Sequence, residues 1–223
     1  MVIYLLSEGK YDKIFLPAVL KKLNLTYCPL KNNDTKSLLQ TDRTYYQDYQ
    51  YIVFADNGRS DIYTKIIRRF TLSFFKKEPI QPIHILLFLD DDYSSHAELT
   101  QTLHDHITSF TSLIPQMESV CLPSQNHIKL LLPSDSKPRI SIQIFYVPHS
   151  LEWQIVQAGL QLVESQKIRD QIKTPGPHKG LELLSLNNSS SIEQTIITSV
   201  IDGWFQESDW YNSLLQTLIK SFE

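Results

Sequence analysis

Three short apolar runs, each ending at an acidic residue, constrain the fold of this chain more than any other feature. The runs occupy residues 2–6, 51–55 and 83–89, and they stop at Glu8-Gly9, Asp56-Asn57-Gly58 and Asp90-Asp91-Asp92. Continuous apolar runs of this length are typical of strands buried on both faces of a sheet. Because a helical pattern follows each run, the order of elements predicts an α/β fold with a parallel sheet covered by helices.

The helical pattern is clearest after the third run, where the apolar residues are Leu99, Leu103, Ile107 and Phe110. After the second run, Ser60 or Asp61 can cap a helix whose apolar face holds Ile62, Ile66, Ile67 and Phe70. After the first run, Pro17 lies within the helical segment, so that helix either starts late or kinks.

The second half of the chain follows a different pattern. Strands are predicted at residues 128–132 and 140–147, and helices at 151–163, 192–205 and 210–222, while residues 24–50 and 173–180 are expected to be mostly irregular. We therefore expect a core at residues 1–115. Residues 116–223 would complete the sheet and add helices to the same compact unit.

Composition excludes several classes of protein. The 223 residues are 42% hydrophobic and 11% aromatic, which is enough for a packed core. The net charge of −3 means that nucleic-acid binding would need a local basic face. Cys28 and Cys121 are the only cysteines, and no apolar run nears the roughly 20 residues of a membrane span. The first residues lack the basic and long apolar pattern of a signal peptide, so we expect no leader. We expect a cytoplasmic protein with no membrane segment.

The acidic strand ends predict a metal site. Ligands bind open α/β sheets beyond the carboxyl ends of the strands, so Glu8, Asp90 and Asp92 should gather at one edge, where Asp56 would join them or merely cap a helix. Clustered carboxylates repel one another, and Mg²⁺ relieves that repulsion. If the chain is still extended here, Asp90 and Asp92 face a shared ion while Asp91 points elsewhere. The alternative is that these acids serve only turns and caps.

Two stretches of the sequence resemble motifs of a known protein family. The stretch LLSEGKYDKIFL resembles the glutamate motif of the Toprim domain, and LLFLDDDYSS resembles its Asp-x-Asp motif. One strand–helix unit ending in Gly58 separates them, as in many Toprim sequences. The resemblance covers about residues 1–115. One departure is Ser95, which stands where a glycine or small residue often follows Asp-x-Asp.

The resemblance implies a Rossmann-like Toprim fold and phosphodiester chemistry on DNA or RNA with Mg²⁺ or Mn²⁺. Glu8 would be the metal-linked or acid/base glutamate, and Asp90 and Asp92 would be metal ligands. Gly9 and Gly58 would be the cofactor-binding glycines, with Gly9 keeping the site open to a phosphate.

Some branches of the family do not fit this chain. A topoisomerase needs a large additional domain that carries the reactive tyrosine, and primases and the related recombination proteins carry a cysteine zinc module, which two cysteines cannot build. What remains is a small stand-alone Toprim protein, most similar to the OLD-nuclease branch.

The OLD-like resemblance also implies two catalytic candidates in the second half. Glu152 would be a further acid at a helix start, and Lys179 would meet the scissile phosphate. The alternatives are that Glu152 only favours the helix dipole and that Lys179 is a solvated loop residue. Lys10, Asp12 and His178 are weaker candidates, and the alternative is that they are ordinary surface residues.

The sequence thus predicts a divalent-metal-dependent nuclease. The alternatives are a non-catalytic Toprim subunit that binds nucleic acid or a partner, and an unrelated Mg²⁺-dependent α/β phosphohydrolase. No GxxxxGK[ST] motif is present, so an ATPase of the OLD kind would have to act in trans as a partner. A homodimer is also left open.

Overall fold

The computed structural model describes residues 2–29, 48–55, 58, 67–68, 82–110, 114, 116–134 and 137–220. The strands within these ranges are β1 (Ile3–Ser7), β2 (Tyr27–Pro29), β3 (Tyr51–Ala55), β4 (Ile83–Asp90), β5 (Glu118–Leu122), β6 (His127–Leu131) and β7 (Ile140–Val147). The helices are α1 (Asp12–Lys22), α2 (His96–Thr108), α3 (Leu151–Leu160), α4 (Gln166–Lys173), α5 (Pro177–Asn187), α6 (Ile192–Ile201) and α7 (Asp209–Lys220). The fold is α/β and Rossmann-like, as predicted.

The strands form one sheet in the order β2-β3-β1-β4-β7-β6-β5. β1 lies between β3 and β4 and runs parallel to both, with Ser7 opposite Ala55 on one side and Phe88 on the other. All five residues of β1 and of β3 are buried, which explains why both read as unbroken apolar runs. The prediction that the three apolar runs are parallel strands is confirmed.

The second half of the sheet is mixed. The N–H of Ile83 donates to the carbonyl of Arg139 at 2.8 Å, and the rings of Phe88 and Phe145 stack at a centroid distance of 5.9 Å. One contact lies at the start of both strands and the other lies further along both, so β4 and β7 are parallel. β6 is antiparallel to β7 and β5 is antiparallel to β6. The expectation of a parallel sheet therefore holds from β2 to β7 in the strand order, whereas the pairings of β6 with β7 and of β5 with β6 are antiparallel.

The chain divides into two compact units, of which the first is Met1–Lys10 with Thr26–Tyr146. Its core is one face of the sheet packed against α2, whose Leu103 and Ile107 are fully buried. These two residues stand four apart and share one side of the helix, as the sequence pattern predicted.

The second unit is Tyr11–Leu25 with Val147–Glu223, and it is helical. α1 packs against α6 and α3 packs against α5. An aromatic cluster of Phe15, Phe205, Trp210 and Tyr211 lies in its core, with ring centroids 5.4–6.3 Å apart. The helix α1 thus belongs to the unit of the C-terminal helices, whereas β1 belongs to the first unit.

α1 begins at Asp12 and continues through Pro17, so of the two expected alternatives the late start is excluded. The expected loop at residues 173–180 is wrong, because α4 extends to Lys173 and α5 begins at Pro177. Proline suits the first turn of a helix, where its missing N–H would have no helical partner.

The sequence pattern did not anticipate β2, β5, α4 or the full length of α5. The helix expected after the second run lies outside the described residues, apart from Ile67, which is buried, and Arg68, which is exposed.

No helix in the described part of the chain is long and apolar enough to cross a membrane. Neither Cys28 nor Cys121 forms a disulfide.

Candidate metal site at the ends of the parallel strands

Glu8 bridges the ends of three neighbouring strands in the first unit. It directly follows β1, and its carboxylate Oε1 accepts a 2.8 Å hydrogen bond from the backbone N–H of Asp90 at the end of β4. Its own carbonyl accepts a 2.9 Å bond from the N–H of Gly58, which comes three residues after β3. A hydrogen bond to a carboxylate is stronger than one between neutral groups. The Glu8 side chain is therefore held across the gap between β1 and β4.

Asp90 is the last residue of β4, and a tight turn follows it. The N–H of Ser94 donates to the carbonyl of Asp91 at 2.7 Å, and both central residues of the turn, Asp92 and Tyr93, have positive φ, 47° and 65°. Two successive left-handed residues are characteristic of a type I′ turn. The turn ends the strand and begins the approach to α2.

The sequence analysis assumed that the chain is still extended at Asp92, so that Asp90 and Asp92 would face one ion. That assumption is wrong. Asp92 is not extended, so the alternation of side chains along β4 does not continue to it. Its side chain is exposed, whereas that of Asp90 is partly buried.

The Asp91 carboxylate is directed toward its own turn and the start of α2. Oδ1 accepts a 3.0 Å bond from the N–H of Tyr93, and Oδ2 lies 3.4 Å from Nε2 of His96. This is the ordinary role of an aspartate in a turn, which the sequence offered as an alternative for all the acidic strand ends.

His96, the first residue of α2, was missed by the sequence interpretation. Its ring stacks on Tyr146 of β7 at a centroid distance of 4.5 Å, and the Tyr146 hydroxyl lies 3.1 Å from Oγ1 of the buried Thr100. These contacts connect the turn after β4 to β7 through Asp91 and His96. No sequence motif marks His96, since its partners come from a turn and from a strand 50 residues later.

The two glycines predicted to bind a cofactor lie at the same strand ends. Gly9 follows Glu8 directly, and Gly58 has φ +124°, a conformation that L side chains rarely adopt. A Cβ added at Gly58 would meet nothing within 4 Å, so conformation rather than crowding calls for glycine there. Asp56 lies outside the described residues.

Glu152 and Lys179 belong to the second unit. Glu152 lies in the first turn of α3, after the cap Ser150, whose Oγ accepts a 3.2 Å bond from the N–H of Trp153. Lys179 lies in the first turn of α5, not in a loop, and its Nζ pairs with Glu182.

The weaker candidates His178 and Asp12 belong to the same unit as Glu152 and Lys179. His178 contacts Glu182 at 3.8 Å and stacks on Tyr11. Asp12 is buried in the first turn of α1, within the second unit.

The described residues of the first unit thus bring Glu8 and Asp90 together. In that part of the chain, no three side chains of His, Cys, Asp or Glu are grouped closely enough to hold a metal ion among them. Mg²⁺ in enzymes is commonly held by one or two carboxylates together with waters and substrate phosphates. A pair of carboxylate residues fits that kind of site.

No protein-family model, curated protein or solved structure matches this chain.

Proposed function

We propose that this chain is a divalent-metal-dependent nuclease on a Toprim fold, which cleaves phosphodiester bonds of DNA or RNA. The observation that carries the proposal is the hydrogen bond between the Glu8 carboxylate and the backbone of Asp90. It joins the two sequence motifs that resemble the Toprim glutamate and Asp-x-Asp motifs, although 82 residues separate them.

The chemistry of the strand ends supports this proposal. Glu8 and Asp90 offer only carboxylate oxygens, which are hard ligands and suit Mg²⁺ or Mn²⁺. Lys10 is exposed two residues after Glu8, where its ammonium would attract a phosphate. Gly9 between them has no side chain to obstruct the approach of a backbone phosphate.

Glu8 and Asp90 would hold the cation. When bound, Mg²⁺ would supply a Lewis acid that lowers the pKa of water and stabilises the leaving oxygen. The hydrogen bond from Asp90 N–H keeps one Glu8 oxygen in place, so the carboxylate can also accept a proton from the attacking water. Gly58 fixes the Glu8 backbone from the other side.

The test is a cleavage assay on end-labelled single- and double-stranded DNA and RNA, with Mg²⁺, Mn²⁺ or EDTA. We expect metal-dependent cleavage that falls by at least about 100-fold in Glu8→Gln and Asp90→Asn. The amide oxygen introduced by Glu8→Gln can still accept the N–H of Asp90, so this substitution removes the charge and leaves the fold in place. Glu118→Gln is the matched control, because Glu118 is exposed on the edge strand β5.

Three results would contradict the proposal in different ways. Cleavage that both site variants retain would reject the site. Nucleic-acid binding without cleavage under any metal would indicate a non-catalytic subunit. Hydrolysis of small phosphate monoesters but not of polynucleotides would indicate an unrelated phosphohydrolase.

A further inference from the structure

A cavity of about 530 Å³ lies in the second unit, where the helices α3 and α6 end. Gln161 and Asp202, the residues that cap these two helices, both line it. The volume of the cavity is within the range of small-ligand pockets. The residues that line it belong to the second unit, whereas Glu8 belongs to the first.

The turn after α6 builds one wall of the cavity. The N–H of Trp204 donates to the carbonyl of Ser199 at 3.0 Å, and the N–H of Gly203 donates to that of Val200 at 3.3 Å. This is the Schellman pattern, and Gly203 has the left-handed φ of +73° that it requires. The motif turns the chain sharply, so that Trp204 directly follows the helix end and lines the cavity.

Both charged side chains that line the cavity are acidic. Asp202 and Glu207 line it with exposed carboxylates, and none of the described residues that line it is Lys, Arg or His. The carboxyl end of α3 adds partial negative charge. The last carbonyls of α6 already accept hydrogen bonds from Nζ of Lys22, which does not line the cavity.

Aromatic rings and amides complete the lining. Trp204 and Trp210 are partly exposed and contribute rings, whose faces attract cations, whereas Phe205 is buried. The amide side chains are those of Gln154, Gln157, Gln161 and Gln206, each with a carbonyl oxygen that accepts hydrogen bonds. The indole N–H of Trp210 is buried without an acceptor among the described residues.

We propose that this cavity binds a guanidinium group. Guanidinium is planar, always charged, stacks on aromatic rings and donates five N–H bonds, which match the carboxylates and amide oxygens of the lining. A compact ammonium would use the charge but not the ring faces. The group belongs either to a free guanidino compound or to an arginine residue of a peptide.

The test is a titration of the ¹⁵N-labelled full chain with N-acetyl-arginine N-methylamide, followed by its indole N–H signals. The chain has three tryptophans, and Trp153 does not line the cavity. We expect saturable shifts of the Trp204 and Trp210 signals, with Trp153 as the internal reference. The neutral citrulline counterpart has nearly the same shape and should bind at least about fivefold more weakly, since it lacks the charge.

Matched variants locate the binding. Asp202→Asn and Glu207→Gln should each weaken the affinity about two- to fivefold. Glu193→Gln removes the same charge from the opposite end of α6, where Glu193 is exposed in the first turn, and should leave the affinity unchanged. Circular dichroism of the variants checks that they remain folded.

The measured affinities test the proposal and also distinguish the two sources of the guanidinium group. Agmatine that binds as tightly as the arginine derivative supports a free guanidino compound, and tighter binding of the derivative supports a peptide. Absence of saturable shifts, equal binding of the citrulline counterpart, or an equal loss in Glu193→Gln would overturn the proposal. None of these results depends on nuclease activity.

Discussion

Tyr211 offers a sharp test of the packing of the second unit. Its side chain is 1% exposed, and its hydroxyl has no hydrogen-bond partner among the described residues. A buried hydroxyl without a partner costs free energy, so Tyr211→Phe should raise the free energy of unfolding by about 1 kcal/mol at pH 7. Burial also raises the pKa of Tyr211 to about 12, from an ordinary value of 10.0.

That pKa makes the stability of the native chain depend on pH. The folded state holds the phenolic proton more tightly than the unfolded state, so this contribution is intact below pH 10 and is lost as the pH rises from 10 to 12. With these two pKa values, the native protein loses less than about 1 kcal/mol at pH 10 and about 1 kcal/mol at pH 11 relative to Tyr211→Phe. The advantage of the variant should therefore grow from about 1 to about 2 kcal/mol between pH 7 and pH 11.

Urea unfolding followed by far-ultraviolet circular dichroism at pH 7, 10 and 11 measures both effects. Tyr93→Phe is the control, because Tyr93 is 77% exposed and its hydroxyl should contribute almost nothing. A Tyr211→Phe variant that is less stable at pH 7 would refute the unpaired hydroxyl. A stability difference that stays constant up to pH 11 would refute the raised pKa.

Three further predictions concern stability. Gly203→Ala forces a side chain into a positive φ at the end of α6 and should lower the free energy of unfolding by at least about 1 kcal/mol; an unchanged urea midpoint would contradict this. Ser150→Ala removes the side-chain cap of α3 and should cost about 1 kcal/mol. Ser165→Ala, whose side chain makes no cap bond at α4, should cost clearly less, and equal losses would contradict the capping role. Burial lowers the pKa of His127, so protonation favours the unfolded state, and stability should fall as the pH drops below about 6.5. His127→Gln should show a shallower loss of stability between pH 7.5 and 5, and identical pH profiles would contradict the prediction.

The sequence predicted the central strands well because their environment leaves a strong local signature. A parallel strand that is buried on both faces must be apolar at every position, as β1 and β3 are. The strands β2 and β5 are partly exposed, and β2 has only three residues, so their apolar signal is weak. Their pairing in the sheet, rather than their composition, makes them strands.

Two predictions were wrong because the local backbone conformation differs from the one that the sequence pattern indicated. The Pro and Gly residues at 173–180 indicated a loop, yet Gly176, with φ +87°, comes directly before a helix that Pro177 begins. Asp92 was expected to continue an extended strand. The turn that Asp91 stabilises with its own side chain puts Asp92 in a left-handed conformation instead.

The sequence by itself determined that carboxylates terminate three apolar strands, because strand burial and acidic ends are both local properties. Only the tertiary structure decided which ends are neighbours. The order β3-β1-β4 places Glu8 against the backbone of Asp90, and strand order depends on crossover connections and packing between residues far apart in the chain. The same non-local packing groups α1 with the C-terminal helices, where it also places Glu152 and Lys179. No spacing of residues along the chain carries that information.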